Sequence, residues 1–83
     1  FLLEVFPNPV EKSFKLITGL SGYGKVKIIN SKGQIIEQQT KMFKGNQFVQ
    51  INLNREVKSY PKGIYLICIE MNGVVLFKKI IIE

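Results

Sequence analysis

Few side chains in this sequence could carry chemistry. It has six Glu residues, one Cys, no His and no Asp. Without His, a Ser-His-acid triad, a Cys-His pair and a His-based metal site cannot be built. A pair of Glu residues could in principle cut a glycosidic bond, but such enzymes need a deep cleft that 83 residues rarely provide. We therefore interpret each Glu as a surface charge and predict no catalysis, cofactor or metal.

Two other features have ordinary structural explanations. Cys68 lies inside an apolar, β-branched run and has no partner for a disulfide, so we interpret it as a packing residue rather than a reactive thiol. The segment Gly19-Leu20-Ser21-Gly22-Tyr23-Gly24 lacks the Lys-Ser/Thr ending of a phosphate-binding loop. Its three glycines predict a mobile turn instead.

The composition describes a small basic domain. The net charge is +6, and 46% of the residues are hydrophobic, which is enough for a modest core in a single domain of residues 1–83. Scattered Lys indicates a solvated face, and the alternative is attraction to an anionic surface such as lipopolysaccharide or an acidic partner. Clustered Arg and stacking aromatics are missing, so we expect no nucleic-acid binding.

Neither a transmembrane segment nor a targeting segment is recognisable. No apolar run approaches about 20 residues, and the first ten residues lack the basic start and apolar centre of a signal peptide. Because the chain does not begin with Met, we expect a fragment of a longer protein.

The apolar pattern predicts strands throughout. The last two runs, residues 64–70 and 74–82, flank Asn72-Gly73, which is typical of a tight hairpin. Turns recur about every 8 to 12 residues, and no window keeps helical spacing for three turns. The pattern predicts an all-β, immunoglobulin-like or fibronectin-like antiparallel β-sandwich of about seven strands. The earlier strands are expected at residues 1–6, 13–17, 25–30, 34–40 and 48–53, with a polar link at 54–60.

Alternation also predicts which residues face the core. Val26 and Ile28 should point inward from their strand. Tyr65, with Ile67 and Ile69, should do the same, and its hydroxyl should return to the backbone as in a tyrosine corner. In the final strand Val75 and Phe77 share one face while Ile80 and Ile82 share the other. We expect a β-bulge at Lys78-Lys79 to bring both pairs inward.

Four motifs occur in order over residues 3–82 and resemble a known family. Val5-Phe6-Pro7-Asn8-Pro9-Val10 resembles the opening "YPNPA" motif of the C-terminal sorting domains of the type IX secretion system, and residues 26–34 resemble its central strand-turn motif. Gly63-Ile64-Tyr65-Leu66-Ile67 resembles its "GIY" strand. Lys78-Lys79-Ile80-Ile81-Ile82 resembles its basic-then-aliphatic last strand. The chain departs from the usual pattern at Phe6, Val10, Asn30, Gln34 and Cys68.

The resemblance implies a C-terminal secretion signal. The parent protein would reach the periplasm through a signal peptide, and the type IX outer-membrane translocon would recognise the folded tail and deliver the cargo to the cell surface or the medium. In many members a surface sortase removes the tail and attaches the cargo to lipopolysaccharide. We expect the free edge of the final strand to accept a partner strand. The candidate recognition residues are Pro7, Asn8, Pro9, Gly33, Gly63, Tyr65, Lys78 and Lys79.

Structural explanations for these residues stay open. Residues 7–9 could have a purely structural role, which is to protect a sheet edge from aggregation. Two prolines confine these residues to an edge strand or its exit. Gly33 and Gly63 could be turn glycines, and Tyr65 a core residue.

The alternative function is an accessory immunoglobulin-like binding or spacer module, for example a carbohydrate-binding or adhesin unit. A carbohydrate binder should expose aromatics in a row, whereas the chain has no Trp, and Tyr23, Phe43 and Tyr60 are expected in separate loops or turns.

Overall fold

A computed structural model of the chain describes residues 2–10, 13–53 and 60–83. The described residues form seven strands and no helix. The strands are β1 (Leu3–Phe6), β2 (Phe14–Thr18), β3 (Gly22–Ile29), β4 (Ile35–Phe43), β5 (Val49–Ile51), β6 (Gly63–Met71) and β7 (Val74–Ile82). Most of the predicted link, residues 54–59, lies outside the described residues.

The strands form two antiparallel sheets, as the sequence predicts for a β-sandwich. One sheet has the order β1-β2-β5 and the other the order β4-β3-β6-β7. Their inner faces meet in one apolar core, because alternate side chains of each strand point to the same side. The largest fully buried side chains include Phe14, Leu16, Phe43, Ile51, Ile67, Ile69 and Ile80. The prediction that each Glu is a surface charge is wrong for Glu37, which is buried and accepts a hydrogen bond from the Tyr60 hydroxyl at 2.9 Å.

Local alternation predicts the faces of β3 and β6 correctly. Val26 and Ile28 are buried, and so are Tyr65, Ile67 and Ile69. The Tyr65 hydroxyl donates a hydrogen bond to the carbonyl of Pro61, as the tyrosine-corner prediction requires. These predictions are confirmed.

The predicted turn at residues 19–24 is wrong in its second half. Strand β3 begins at Gly22, so Tyr23 and Gly24 belong to the sheet. Gly24 faces the core, where a Cβ atom would lie 3.1 Å from side-chain atoms of both Met71 and Phe43. The glycine is therefore needed for close packing and not for a turn. Phe43, also predicted in a loop, is buried at the end of β4.

The predicted bulge at Lys78-Lys79 is also wrong. The pairing of β6 with β7 is regular from Met71 opposite Val74 to Gly63 opposite Ile82. Val75 and Phe77 are 48% and 57% exposed, so they point away from the core. The prediction failed because it assumed that every apolar pair of the strand had to be buried.

Candidate functional site

The segment with Pro7 and Pro9 connects β1 of the three-stranded sheet to the edge of β7 in the four-stranded sheet. Strand β1 ends at Phe6, and the Phe6-Pro7 and Asn8-Pro9 peptide bonds are both cis. Pro7, Asn8 and Pro9 are exposed, whereas Val10 is only 2% exposed. Val10 forms an isolated parallel bridge with Ile82 of β7. Residues 8–10, called the covering segment below, thus lie along the outer edge of β7.

The Asn8 side chain makes the contacts that hold this segment on β7. Its Nδ2 donates to the carbonyl of Lys79 at 3.3 Å, and its Oδ1 accepts from the amide of Ile81 at 3.0 Å. The amide of Val10 then donates to the carbonyl of Ile81 at 2.9 Å. Because Pro7 and Pro9 have no N–H, the Asn8 carboxamide takes the place of a backbone peptide group in the ladder.

Replacing Asn8 should loosen the carboxyl-terminal end of β7. We expect Asn8→Ala to lower the free energy of unfolding by about 1 kcal/mol, because two hydrogen bonds at an exposed site are exchanged for bonds to water. Amide hydrogen exchange at Ile81 should accelerate. Asn8→Asp is the matched control, since it retains the acceptor for Ile81 and loses only the donor to Lys79. Equal exchange at Ile81 in wild type and Asn8→Ala would contradict the contact.

The two candidate lysines lie on opposite faces of β7. Lys78 is on the core-facing side, where its Nζ lies 3.5 Å from Oε2 of Glu4 in β1. Lys79 points to the outer face and makes no ion pair with any described residue. The sequence treats them as one basic pair, whereas in the structure Lys78 is paired with Glu4 and Lys79 is exposed without an ion pair to a described residue.

Gly33, Gly63 and Tyr65 lie together at one end of the four-stranded sheet. Gly33 has φ +81° in the β3–β4 turn, and Gly63 has φ +147° at the start of β6. A shallow groove separates this turn from the chain around Gly63, and Tyr65 forms part of its wall. The ring of Tyr65 packs edge to face against Tyr60, with centroids 6.4 Å apart. The structure thus divides the candidate residues into this groove and the β7 edge.

Sequence reasoning missed an exposed apolar surface beside the β7 edge. Its side chains lie on the outer face of β6 and β7, which is the face of the four-stranded sheet turned away from the core. We call this surface the outer apolar strip; it consists of Ile64, Leu66, Val75, Phe77 and Ile81. The alternation within β7 places Val75 and Phe77 on the face opposite to Ile80 and Ile82, and it could have indicated this surface. The predicted bulge instead placed both pairs on the inner face.

One ion pair lies next to this strip. Lys27 of β3 and Glu70 of β6 form a salt bridge on the outer face. The hydrogen bond from Lys27 is the main cause that lowers the pKa of the Glu70 carboxyl, and the charges of Lys27 and Lys25 act in the same direction. Cys68, opposite Lys27, is buried, and this burial together with the Glu70 charge raises the pKa of its thiol. Burial and the raised pKa both disfavour the reactive thiolate, in agreement with a packing role for Cys68.

The Lys27–Glu70 pair should make stability depend on acid pH. The folded-state pKa of Glu70 lies below its ordinary value of 4.5, so the pair stabilises the fold above that value and is lost as the pH falls through the folded-state pKa. We expect Glu70→Gln to melt below wild type at about pH 7 and level with it at about pH 3, with a small difference because the pair is exposed. Thermal unfolding measured by circular dichroism over this range checks it; a difference that grows in acid would contradict the assignment.

Neither a metal site nor a membrane-spanning helix is found in the described parts of the chain. No three His, Cys, Asp or Glu side chains of residues 2–10, 13–53 and 60–83 are grouped so that they could hold a metal ion. No helix of these ranges is long and apolar enough to cross a membrane.

Comparison with known proteins gives one clear result. A family model described as "Secretion system C-terminal sorting domain" matches residues 4–83. The match includes all eight candidate residues. No curated protein matches the chain significantly.

Proposed function

The chain belongs to the family of secretion system C-terminal sorting domains, and from this premise we propose that residues 1–83 act as one folded, non-catalytic signal that the type IX outer-membrane translocon recognises. The family consists of sorting signals, which direct a protein to the cell surface or the medium through contact with secretion machinery. The observation that carries the proposal is the family match over residues 4–83.

The fold supports recognition of a surface rather than of a reactive group. The interior is filled mainly by apolar side chains from both sheets. Apart from Tyr65, which is buried, the candidate residues lie at the exterior, along β7 and its covering segment and near the groove beside Gly63. A rigid outer shape with an exposed edge strand suits a protein receptor that binds by strand addition.

We further propose that a surface sortase removes the domain and joins the cargo to lipopolysaccharide. The supporting argument is the family membership together with the net charge of +6, which favours approach to an anionic surface. Mass spectrometry of the exported parent protein tests it. A cargo that ends before residue 1 and carries a lipopolysaccharide adduct is expected, and an intact tail on the exported protein would contradict cleavage.

The distribution of exposed aromatics favours a sorting signal over a carbohydrate-binding module. Phe6 packs edge to face against Phe48, with centroids 6.0 Å apart, beside the three-stranded sheet. Tyr23 and Phe77 lie on β3 and β7 of the other sheet, which are separated by β6. The exposed rings of the described residues therefore form no continuous row for stacking on a sugar chain.

Fusion to a reporter tests the proposed function directly. Residues 1–83 are joined to the carboxyl end of a fluorescent protein that is sent to the periplasm of a host with a type IX system. We expect fluorescence at the cell surface or in the medium, and its loss in a translocon mutant. Fluorescence that stays in the periplasm of the wild-type host would refute the proposal, and export that survives in the mutant would assign the signal to another route.

A further inference from the structure

The residues that the structure describes cover the edge of β7 along only part of its length. The hydrogen bonds of the covering segment reach the carbonyl of Lys79 and both backbone groups of Ile81. In an antiparallel strand the backbone N–H and C=O of one residue point to the same side, and that side alternates along the strand. The backbone groups of Val75 and Phe77 therefore point to the same outer edge as those of Ile81.

No described residue occupies the edge at Val75 and Phe77. Strand β7 is the last strand of its sheet, and among residues 2–10, 13–53 and 60–83 the hydrogen bonds from outside the ladder reach it through Asn8 and Val10. Two adjacent outward-pointing residues, Val75 and Phe77, thus offer two N–H and two C=O groups. This is the pattern to which an added strand binds.

The same two residues supply the apolar part of the surface. Phe77 is 57% exposed and Val75 48% exposed, and both belong to the outer apolar strip. An added strand would place its own outward side chains directly opposite them, because paired residues of neighbouring strands share a face. Exposed Phe beside free backbone groups favours a partner strand with apolar side chains at these positions.

The charges around the outer apolar strip indicate which charged side chain the added strand should carry. Lys27 is neutralised by Glu70, and Lys78 is paired with Glu4. Lys79 is the next outward residue after Phe77 and has no ion pair with a described residue. A carboxylate placed diagonally on an added strand would reach its ammonium group.

From these three observations we infer that the β7 edge at Val75 and Phe77, with the outer apolar strip beside it, binds one strand of a secretion-machinery protein. That strand presents apolar side chains to Val75 and Phe77 and a carboxylate to Lys79. Its hydrogen bonds end at the amide of Lys79, because the carbonyl of that residue already accepts a hydrogen bond from Asn8. The inference rests on the proposed function and names the surface through which the sorting domain is recognised.

Export of the reporter fusion tests the inference with matched variants. Phe77→Lys is compared with Ile35→Lys, which places the same charge at a residue 53% exposed on β4, the opposite edge strand of the same sheet. We expect Phe77→Lys to slow export about tenfold, as for loss of an interface anchor, and Ile35→Lys to leave it unchanged. Lys79→Glu should also slow export, whereas Lys15→Glu, on the other sheet, should not.

The variants must be folded for the comparison to hold, and their melting temperatures establish this. Photo-crosslinking then identifies the partner: benzoylphenylalanine in place of Phe77 should yield an adduct with an outer-membrane secretion protein, and the same group in place of Ile35 should not. Export of Phe77→Lys at the wild-type rate would overturn the inference. An adduct with lipid or with a second copy of the chain would also overturn it.

The two proposals fail in different ways. If the wild-type fusion is not exported, the proposed function is wrong. If the wild-type fusion and both lysine variants are exported equally, the sorting function stands and only the docking surface is refuted.

Discussion

A fusion that lacks residues 74–83 is expected to remain in the periplasm. The deletion removes all of β7, which pairs with β6 along its full length and contributes Ile80 and Ile82 to the core. It also removes the β7 residues that contact the covering segment, Lys79, Ile81 and Ile82. Export should fall below detection, because both the fold and the proposed docking edge are lost. Fractionation and immunoblotting of periplasm, surface and medium measure it.

The matched control for the deletion is a fusion with the full chain in the same host. Both fusions should be produced in equal amounts, so that lower export is not confused with lower synthesis. Normal secretion of the truncated fusion would refute the role of β7 in sorting.

Replacement of Ile80 by Ala is expected to abolish export although it leaves all eight candidate recognition residues unchanged. Ile80 is fully buried in the core, so its truncation should cost about 2 to 5 kcal/mol. That is a large part of the roughly 5 to 15 kcal/mol that stabilises an ordinary small domain. If the translocon recognises the folded surface, unfolding by this variant should stop export.

Ile81→Ala supplies the comparison, because it changes the next residue of the same strand. Ile81 is 39% exposed on the outer face, so the same truncation should cost less stability. Its backbone bonds to Asn8 and Val10 are unaffected by the side chain. Chemical denaturation and export assays measure both variants. Normal export of an unfolded Ile80→Ala fusion would indicate recognition of a linear motif.

Features that depend on neighbouring residues could be predicted from the sequence. Val26 and Ile28 alternate with lysines, and this period of two fixes their face whatever the rest of the sheet does. The Tyr65 hydrogen bond spans only four residues to Pro61, so its geometry is almost local. The seven-strand sandwich follows from the spacing of such segments and their turns.

Features that depend on distant contacts could not be predicted. The bonds of Asn8 join residues 71 and 73 positions apart, and no local pattern specifies them. The burial of Gly24 depends on Met71 and Phe43, which reach it through two other strands. The outward position of Phe77 follows from the regular pairing of β6 with β7, which the apolar pattern of the last strand does not specify.

The position of Asn8 between two prolines also affects how long the protein lasts after export. Spontaneous deamidation of asparagine begins when the backbone nitrogen of the following residue attacks the side-chain carbonyl, and Pro9 has no N–H with which to do so. The Asn8 carboxamide, which attaches the segment after β1 to β7, is thus protected from this reaction. Asn72, exposed and followed by Gly73, has no such protection. Ageing outside the cell should therefore alter the hairpin tip of β6 and β7 long before it alters the contact at Asn8.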